Sequence, residues 1–97
     1  MISVCMASFN GGKYIELQLK SILIQIGSND EIVIVDDSST DDTIAIIERF
    51  NDTRIRIFAN LENIGVIGSF GRAMGLAKGE IIFLSDQDDI WLPNKVN

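Results

Sequence analysis

Four short apolar runs, residues 2–6, 32–35, 55–59 and 81–84, recur along the chain, and the segments between them carry apolar residues at helical spacing. Ile15, Leu19, Ile22, Leu23 and Ile26 mark the first such helix, Ile44, Ile47 and Phe50 the second, and Val66, Ile67, Phe70, Ala73, Met74 and Ala77 the third. Turn chemistry punctuates the pattern at Ser8-Phe9-Asn10-Gly11-Gly12, Gly27-Ser28-Asn29-Asp30, residues 60–63 and Lys78-Gly79. The run Ile32-Val33-Ile34-Val35 is apolar on both faces, as a strand covered on each side by helices requires. A β-α-β-α-β-α-β order predicts an α/β domain with an open, mostly parallel sheet and right-handed crossovers. The expected strand order is 3-2-1-4, with a crevice between strands 1 and 4, where the order reverses.

In such a sheet every strand-to-helix loop lies at one edge. Those loops carry Asp36, Asp37, Asp41, Asp42, Asp86, Asp88 and Asp89. The string Ser85-Asp86-Gln87-Asp88-Asp89-Ile90-Trp91 directly follows the fourth apolar run, planting three carboxylates at the end of a strand. Carboxylates this close repel by a few kcal/mol at an effective dielectric of about 20, and a hard divalent cation relieves that repulsion. With no histidine and one cysteine in 97 residues, the available ligands are almost all oxygens, which favours Mg²⁺ or Mn²⁺ over zinc or copper. Asp41 and Asp42 are explained as capping and first-turn charges of the second helix. Asp36 and Asp37 fit equally a backbone-bonded turn or a ligand site.

Composition removes other classes. A formal net charge of −6 opposes binding to a nucleic-acid backbone. No apolar run reaches the roughly 18 residues of a membrane span, and Met1-Ile2-Ser3 lacks the basic start of a signal peptide, so the reading is a cytoplasmic chain. Cys5, flanked by Val4 and Met6, is expected to pack as a small hydrophobe. Gly65, Gly68, Gly71 and Gly75 fall in or before the third helix, where each interior glycine costs about 1 kcal/mol. Close packing on the sheet, or backbone approach to a ligand at Gly65 and Gly68, would account for them. Their spacing matches neither the dinucleotide fingerprint nor the P-loop. An EF-hand is excluded because Ile90 fills a liganding position and the turn glycine is absent.

Four motifs in order carry a specific resemblance: residues 2–10 (ISVCMASFN), residues 34–41 (IVDDSSTD), residues 60–65 (NLENIG) and Ala77-Lys78-Gly79-Glu80 leading into Asp86-Gln87-Asp88-Asp89. The chain resembles family 2 glycosyltransferases of the GT-A fold over essentially its whole length. The string Leu84-Ser85-Asp86-Gln87-Asp88-Asp89-Ile90-Trp91 is most similar to the branch holding bacterial rhamnosyltransferases and related cell-surface polysaccharide enzymes.

The resemblance implies that the backbone around Ala7 and Ser8 and the carboxylate of Asp37 hold the nucleobase, with Asp36 beside it. Asp86 would face the ribose or metal-bound water, and Asp88 would be the principal ligand of Mg²⁺ or Mn²⁺, with Asp86 beside it. A carboxylate accepts the N3–H of uracil or thymine and finds no such donor on cytosine, which suits UDP- or dTDP-sugars, dTDP-rhamnose among them. The acceptor would be a glycan or lipid-linked saccharide, glycosylated with inversion by means of a carboxylate base, the enzyme working at the inner face of the membrane. In the family that base lies in the second half of the fold, beyond Asn97, so the chain reads as the truncated N-terminal, donor-binding portion (residues 1–97), expected to bind donor without transferring sugar.

Two other classes compete. A haloacid-dehalogenase-type phosphatase also uses strand-D-x-D, but its motif continues with Thr on the first strand, whereas here Asp89-Ile90 follow on the fourth. A non-catalytic nucleotide- or metal-binding module is the second. The fourth run, as an uncovered edge strand, also predicts a homodimer covering Ile81, Phe83 and Trp91.

Overall fold

The computed structural model describes residues 1–86, with Asp86 described by its backbone alone. The order is β1 (Ile2–Ser8), α1 (Ile15–Leu23), β2 (Glu31–Asp36), α2 (Thr43–Arg49), β3 (Ile55–Ala59), α3 (Gly65–Leu76) and β4 (Ile81–Asp86). All pairings are parallel and the sheet order is β3-β2-β1-β4, as the alternation predicts.

Side chains alternate between two layers. Val4, Met6, Ile32 and Ile34 face α1 and α2, where they join Ile15, Leu19, Ile22, Ile26 and Ile47 in one core. Each buried aliphatic side chain there contributes about 1.5–3 kcal/mol. Cys5, Val33 and Val35 face the other way, against Ala73 of α3. Cys5 is fully buried, and its burial pushes the thiol pKa up, as expected of a packed, unreactive cysteine.

The third helix departs from its expected packing. Ser69 and Ala73 are its buried residues, whereas Val66, Ile67 and Met74 are exposed, Ile67 at 89%. Ala73 meets the sheet, with Leu76 and Ala77 packed beside it. The glycines do not pack on the sheet: a Cβ at Gly71 or Gly75 would meet nothing within 4 Å, and one at Gly68 would touch only the Ile64 side chain. Gly65 has a conformational reason, with φ +87° in the left-handed region.

β4 is an edge strand of the described sheet, and Ile81, Ile82 and Leu84 are exposed. Phe83, expected at an uncovered surface, instead packs on the α1/α2 core. Trp91 lies outside the described residues.

Candidate functional site

The strand ends are level at the carboxyl edge. Ser8 pairs with Asp36, Asp36 with Ala59, and Ala7 with Asp86. The register therefore brings the backbones of Ala7, Ser8, Asp36 and Asp86 to one edge, with Asp37 one residue beyond. Asp88 and Asp89 lie outside the described residues, and among the described residues no group of three acidic, histidine or cysteine side chains could hold a metal ion.

β1 runs two residues further than expected, and hydrogen bonding shows why. Ser8 Oγ donates to Asp36 Oδ1 at 2.7 Å, and the Ser8 carbonyl accepts Asp37 N at 2.7 Å, so pairing with β2 continues to the end of Ser8. Asp36, fully buried, also accepts Ser39 Oγ on Oδ1 at 2.6 Å and Ser39 N on Oδ2 at 2.8 Å. Among the described residues, its donors are all neutral.

Asp37 performs the same service for the loop after β3. Its Oδ1 accepts Ile64 N at 2.7 Å and Asn60 Nδ2 at 3.0 Å, and its Oδ2 accepts Gly65 N at 2.9 Å. Asn63, its amide nitrogen turned toward the carboxylate, donates to Oδ2 at 2.5 Å. The Ile64 amide is the largest influence on Asp37, and with Asn60 and Gly65 it outweighs burial and holds the carboxyl below the usual carboxylate range.

A second set of bonds ties the β1–α1 loop to the β2–α2 loop. Asn10 N donates to Ser39 Oγ at 2.9 Å, while Asn10 Oδ1 accepts Thr40 N at 2.8 Å and Asp41 N at 3.3 Å. Asn10 and Ser38 both take positive φ, 50° and 64°, conformations uncommon outside glycine that this bonding maintains. Asp41 caps α2 as expected, accepting Thr43 N at 3.0 Å and Thr43 Oγ1, and it also accepts Gly12 N across the loops at 3.1 Å. Asp42 occupies the cap position but makes no side-chain cap bond.

Three residues of this edge escaped the sequence reading. Asn60 and Arg72 join the Asp37 network, with Arg72 Nη1 donating to Asn60 Oδ1 at 2.7 Å. Phe9, 41% exposed, stands in the first loop between Ser8 and Asn10. An aromatic beside a strand end was the available signal for Phe9. The turn at residues 60–65 was the available signal for Asn60, whose side-chain partners are 9 to 23 residues away. Two surface grooves of about 200 and 300 Å³ flank α2 and include neither Asp36 nor Asp37.

Comparison with known proteins adds what the geometry leaves open. The family model described as "Glycosyl transferase family 2" matches residues 3–97. Among curated relatives, the UDP-Glc:alpha-D-GlcNAc-diphosphoundecaprenol beta-1,3-glucosyltransferase WfaP of Escherichia coli is 38% identical over 97 residues, covering 100% of this chain and 39% of its own. The dTDP-rhamnosyl transferase RfbG of Shigella flexneri is 38% identical over 98 residues, covering 94% of this chain and 34% of its own. Of solved structures, residues 1-349 of S. aureus TarS superpose with a TM-score of 0.89 at 31% identity, over 98% of this chain and 29% of that one. The mannosyltransferase PcManGT from Pyrobaculum calidifontis, in complex with GDP-Man and Mn2+, gives 0.86 at 28% identity, over 93% and 28%. The chain thus spans well under half the length of each of these proteins.

Proposed function

The chain belongs to glycosyl transferase family 2, and from that premise we propose that it forms the donor-binding portion of an enzyme that moves a sugar from a UDP- or dTDP-linked donor to an acceptor hydroxyl in cell-surface polysaccharide synthesis. The observation that carries this reading is the level carboxyl edge, where Asp36 lies beside Ser8 and Asp86 beside Ala7. Ligands of open α/β sheets bind at such an edge.

The roles follow from the donors already present. Asp37 stays ionised and is surrounded by neutral N–H groups, one of which, the Asn63 amide, belongs to an exposed side chain. The imide N–H of uracil or thymine would take that place on Oδ2, one neutral donor replacing another. Cytosine offers a lone pair there and is disfavoured. The backbone at Ala7 and Ser8 would line the base from β1. The uridine and thymidine donors in the names of WfaP and RfbG support the same base class.

The diphosphate needs a cation at an acidic edge. The described carboxylates Asp36 and Asp37 are occupied by N–H and O–H donors, so they do not fit a metal. Asp88, with Asp86, supplies the hard oxygen donors that Mg²⁺ or Mn²⁺ prefers. When bound, the ion neutralises the diphosphate and stabilises it as leaving group. In the transfer itself the anomeric C–O bond to the diphosphate breaks, a bond to the acceptor oxygen forms on the opposite face, and the acceptor proton passes to a carboxylate base. A lipid-linked acceptor, as in the name of WfaP, would bring the enzyme to the inner membrane face; no helix of the described residues is long and apolar enough to cross a membrane.

Calorimetric titration with UDP, dTDP and CDP, with and without MnCl₂, tests the reading. UDP and dTDP should bind only with metal and more tightly than CDP. Asp88→Asn should weaken the metal-dependent part at least ten-fold, while Asp41→Asn should leave it intact. Equal UDP binding in excess EDTA would sink the metal bridge.

A further inference from the structure

Asn60 is buried, and its main-chain N–H and both ends of its side-chain amide are used. Its main-chain N donates to the Asp36 carbonyl at 2.8 Å, and its Nδ2 donates to Asp37 Oδ1 at 3.0 Å and to Ser69 Oγ at 3.1 Å. Its Oδ1 accepts Arg72 Nη1 at 2.7 Å. A side-chain amide is nearly symmetric in shape, so its orientation is set by its partners. Ser69 can donate or accept and decides nothing. The carboxylate can only accept and the guanidinium can only donate, so together they admit one orientation.

Arg72 is itself held in place. It donates to the Ala59 carbonyl at 3.3 Å, and its guanidinium lies over the Phe58 ring at 5.8 Å. Arg72 therefore acts on Asp37 through one intervening amide. We propose that Arg72 and Asn60 form a positioning pair that fixes the Asp37 carboxylate, so that selection of an imide-bearing base depends on a guanidinium placed behind the site. With Oδ1 fixed by Asn60 and the Ile64 amide, Oδ2 is presented to Gly65 N and to one further donor. Without Arg72, Asn60 Oδ1 loses its donor and the side chain is no longer anchored from behind. The Nδ2 bond then ceases to hold Asp37 Oδ1 in one direction, and a carboxylate free to turn spoils the direction in which Oδ2 accepts.

This inference rests on the Asp37 base contact proposed above, and the test separates the two. Arg72 is exposed, so Arg72→Met should fold while keeping an aliphatic stem on Phe58. Affinities for UDP and CDP are measured with MnCl₂ on the parent chain, Arg72→Met and Arg72→Lys. The UDP:CDP affinity ratio should fall by about five-fold in Arg72→Met, a fraction of the worth of one hydrogen bond to a charged group, and recover in part in Arg72→Lys, which still has a donor. A general loosening would weaken both nucleotides alike; a ratio unchanged in Arg72→Met overturns the pair while leaving the base contact standing. A parent chain that does not discriminate UDP from CDP overturns the base contact, and the pair with it. Asn60→Ala is a second route to the same ratio, read only on protein whose circular dichroism matches the parent.

Discussion

Carboxylates are buried at both ends of this sheet, and the two ends treat them differently. At the amino edge, Glu31 Oε1 accepts Arg56 Nη1 at 2.7 Å, and its Oε2 accepts Ser3 Oγ at 2.6 Å and Lys78 N at 2.7 Å. Arg56 closes the cluster by donating to the Leu76 carbonyl at 3.1 Å, and Gly79 N donates to Ser3 Oγ at 2.8 Å. At the carboxyl edge, Asp36 and Asp37 receive serine, asparagine and backbone donors and, among the described residues, no cation directly. A guanidinium cancels the charge of Glu31, whereas dipoles stabilise Asp36 and Asp37 and leave their charge in place. The first arrangement is complete in itself and fastens the α3–β4 turn to β1. The second keeps an electrostatic field at the sheet edge, where a ligand with matching N–H groups or a bridging cation can use it.

The largest effect that would break this contrast is at Arg56. Arg56→Met leaves the buried Glu31 carboxylate without its cation, and removing one partner of a buried pair costs about 3–5 kcal/mol. Urea denaturation should show that loss, while the UDP:CDP ratio of the surviving folded protein should not move. A change in that ratio at unchanged stability would mean that the two edges are not separable.

Acid should act on both edges in one direction. Burial alone would raise the Glu31 pKa, but the bonds from Ser3, the Lys78 amide and Arg56 outweigh it and hold it below its usual value. Asp37 is also held low, by the Ile64 amide first. A depressed folded-state pKa contributes stability that is present above the unfolded pKa, about 4, and is lost as pH falls through the folded value. Stability should therefore be flat in this respect from pH 7 to about 5 and decline below 4. In Glu31→Gln the decline should be shallower. An identical slope in that variant would remove Glu31 from the linkage.

Much of this was legible in the sequence, for a physical reason. Strands 2 and 3 and helix 1 are marked by β-branching or apolar periodicity, both local properties, and the order 3-2-1-4 follows from alternation with handed crossovers. The second strand was expected over residues 32–35, yet Glu31 and Asp36 also lie within it and are buried, with donors supplied by partners distant in sequence. The third helix misled in part: Ala73 and Ala77 of its expected apolar face pack against Cys5, Val33 and Val35, but Val66, Ile67 and Met74, which fit the same period, are exposed. The site was legible as a set of acidic loops. That the loops after β1, β2 and β3 are cross-linked through Asn10, Asp37 and Asn60 was not, since amide partners leave no pattern.

Gly79 sharpens the comparison at a smaller scale. A Cβ built there would lie 2.7 Å from the Met1 carbonyl, 2.7 Å from Ser3 Oγ and 2.9 Å from Ser3 N, so Gly79→Ala forces backbone and the Ser3 hydroxyl apart. Overpacking of this kind costs about 1–3 kcal/mol. The displaced Ser3 Oγ is a donor to Glu31, so the strain enters the amino-edge cluster directly. Gly12, at the carboxyl edge, is crowded too, but by the side-chain oxygens of Asp41 and Asp42. Those two side chains are exposed and can swing aside, so Gly12→Ala should cost less than Gly79→Ala. Giving up the Asp41 contact to Gly12 N should be worth about 1 kcal/mol or less. Parallel thermal melts of the two variants decide it. A larger loss at Gly12 would show that the carboxyl-edge loops, rather than the amino-edge cluster, are the stiffer part of the molecule, and would reverse the assignment of structural and ligand-binding ends.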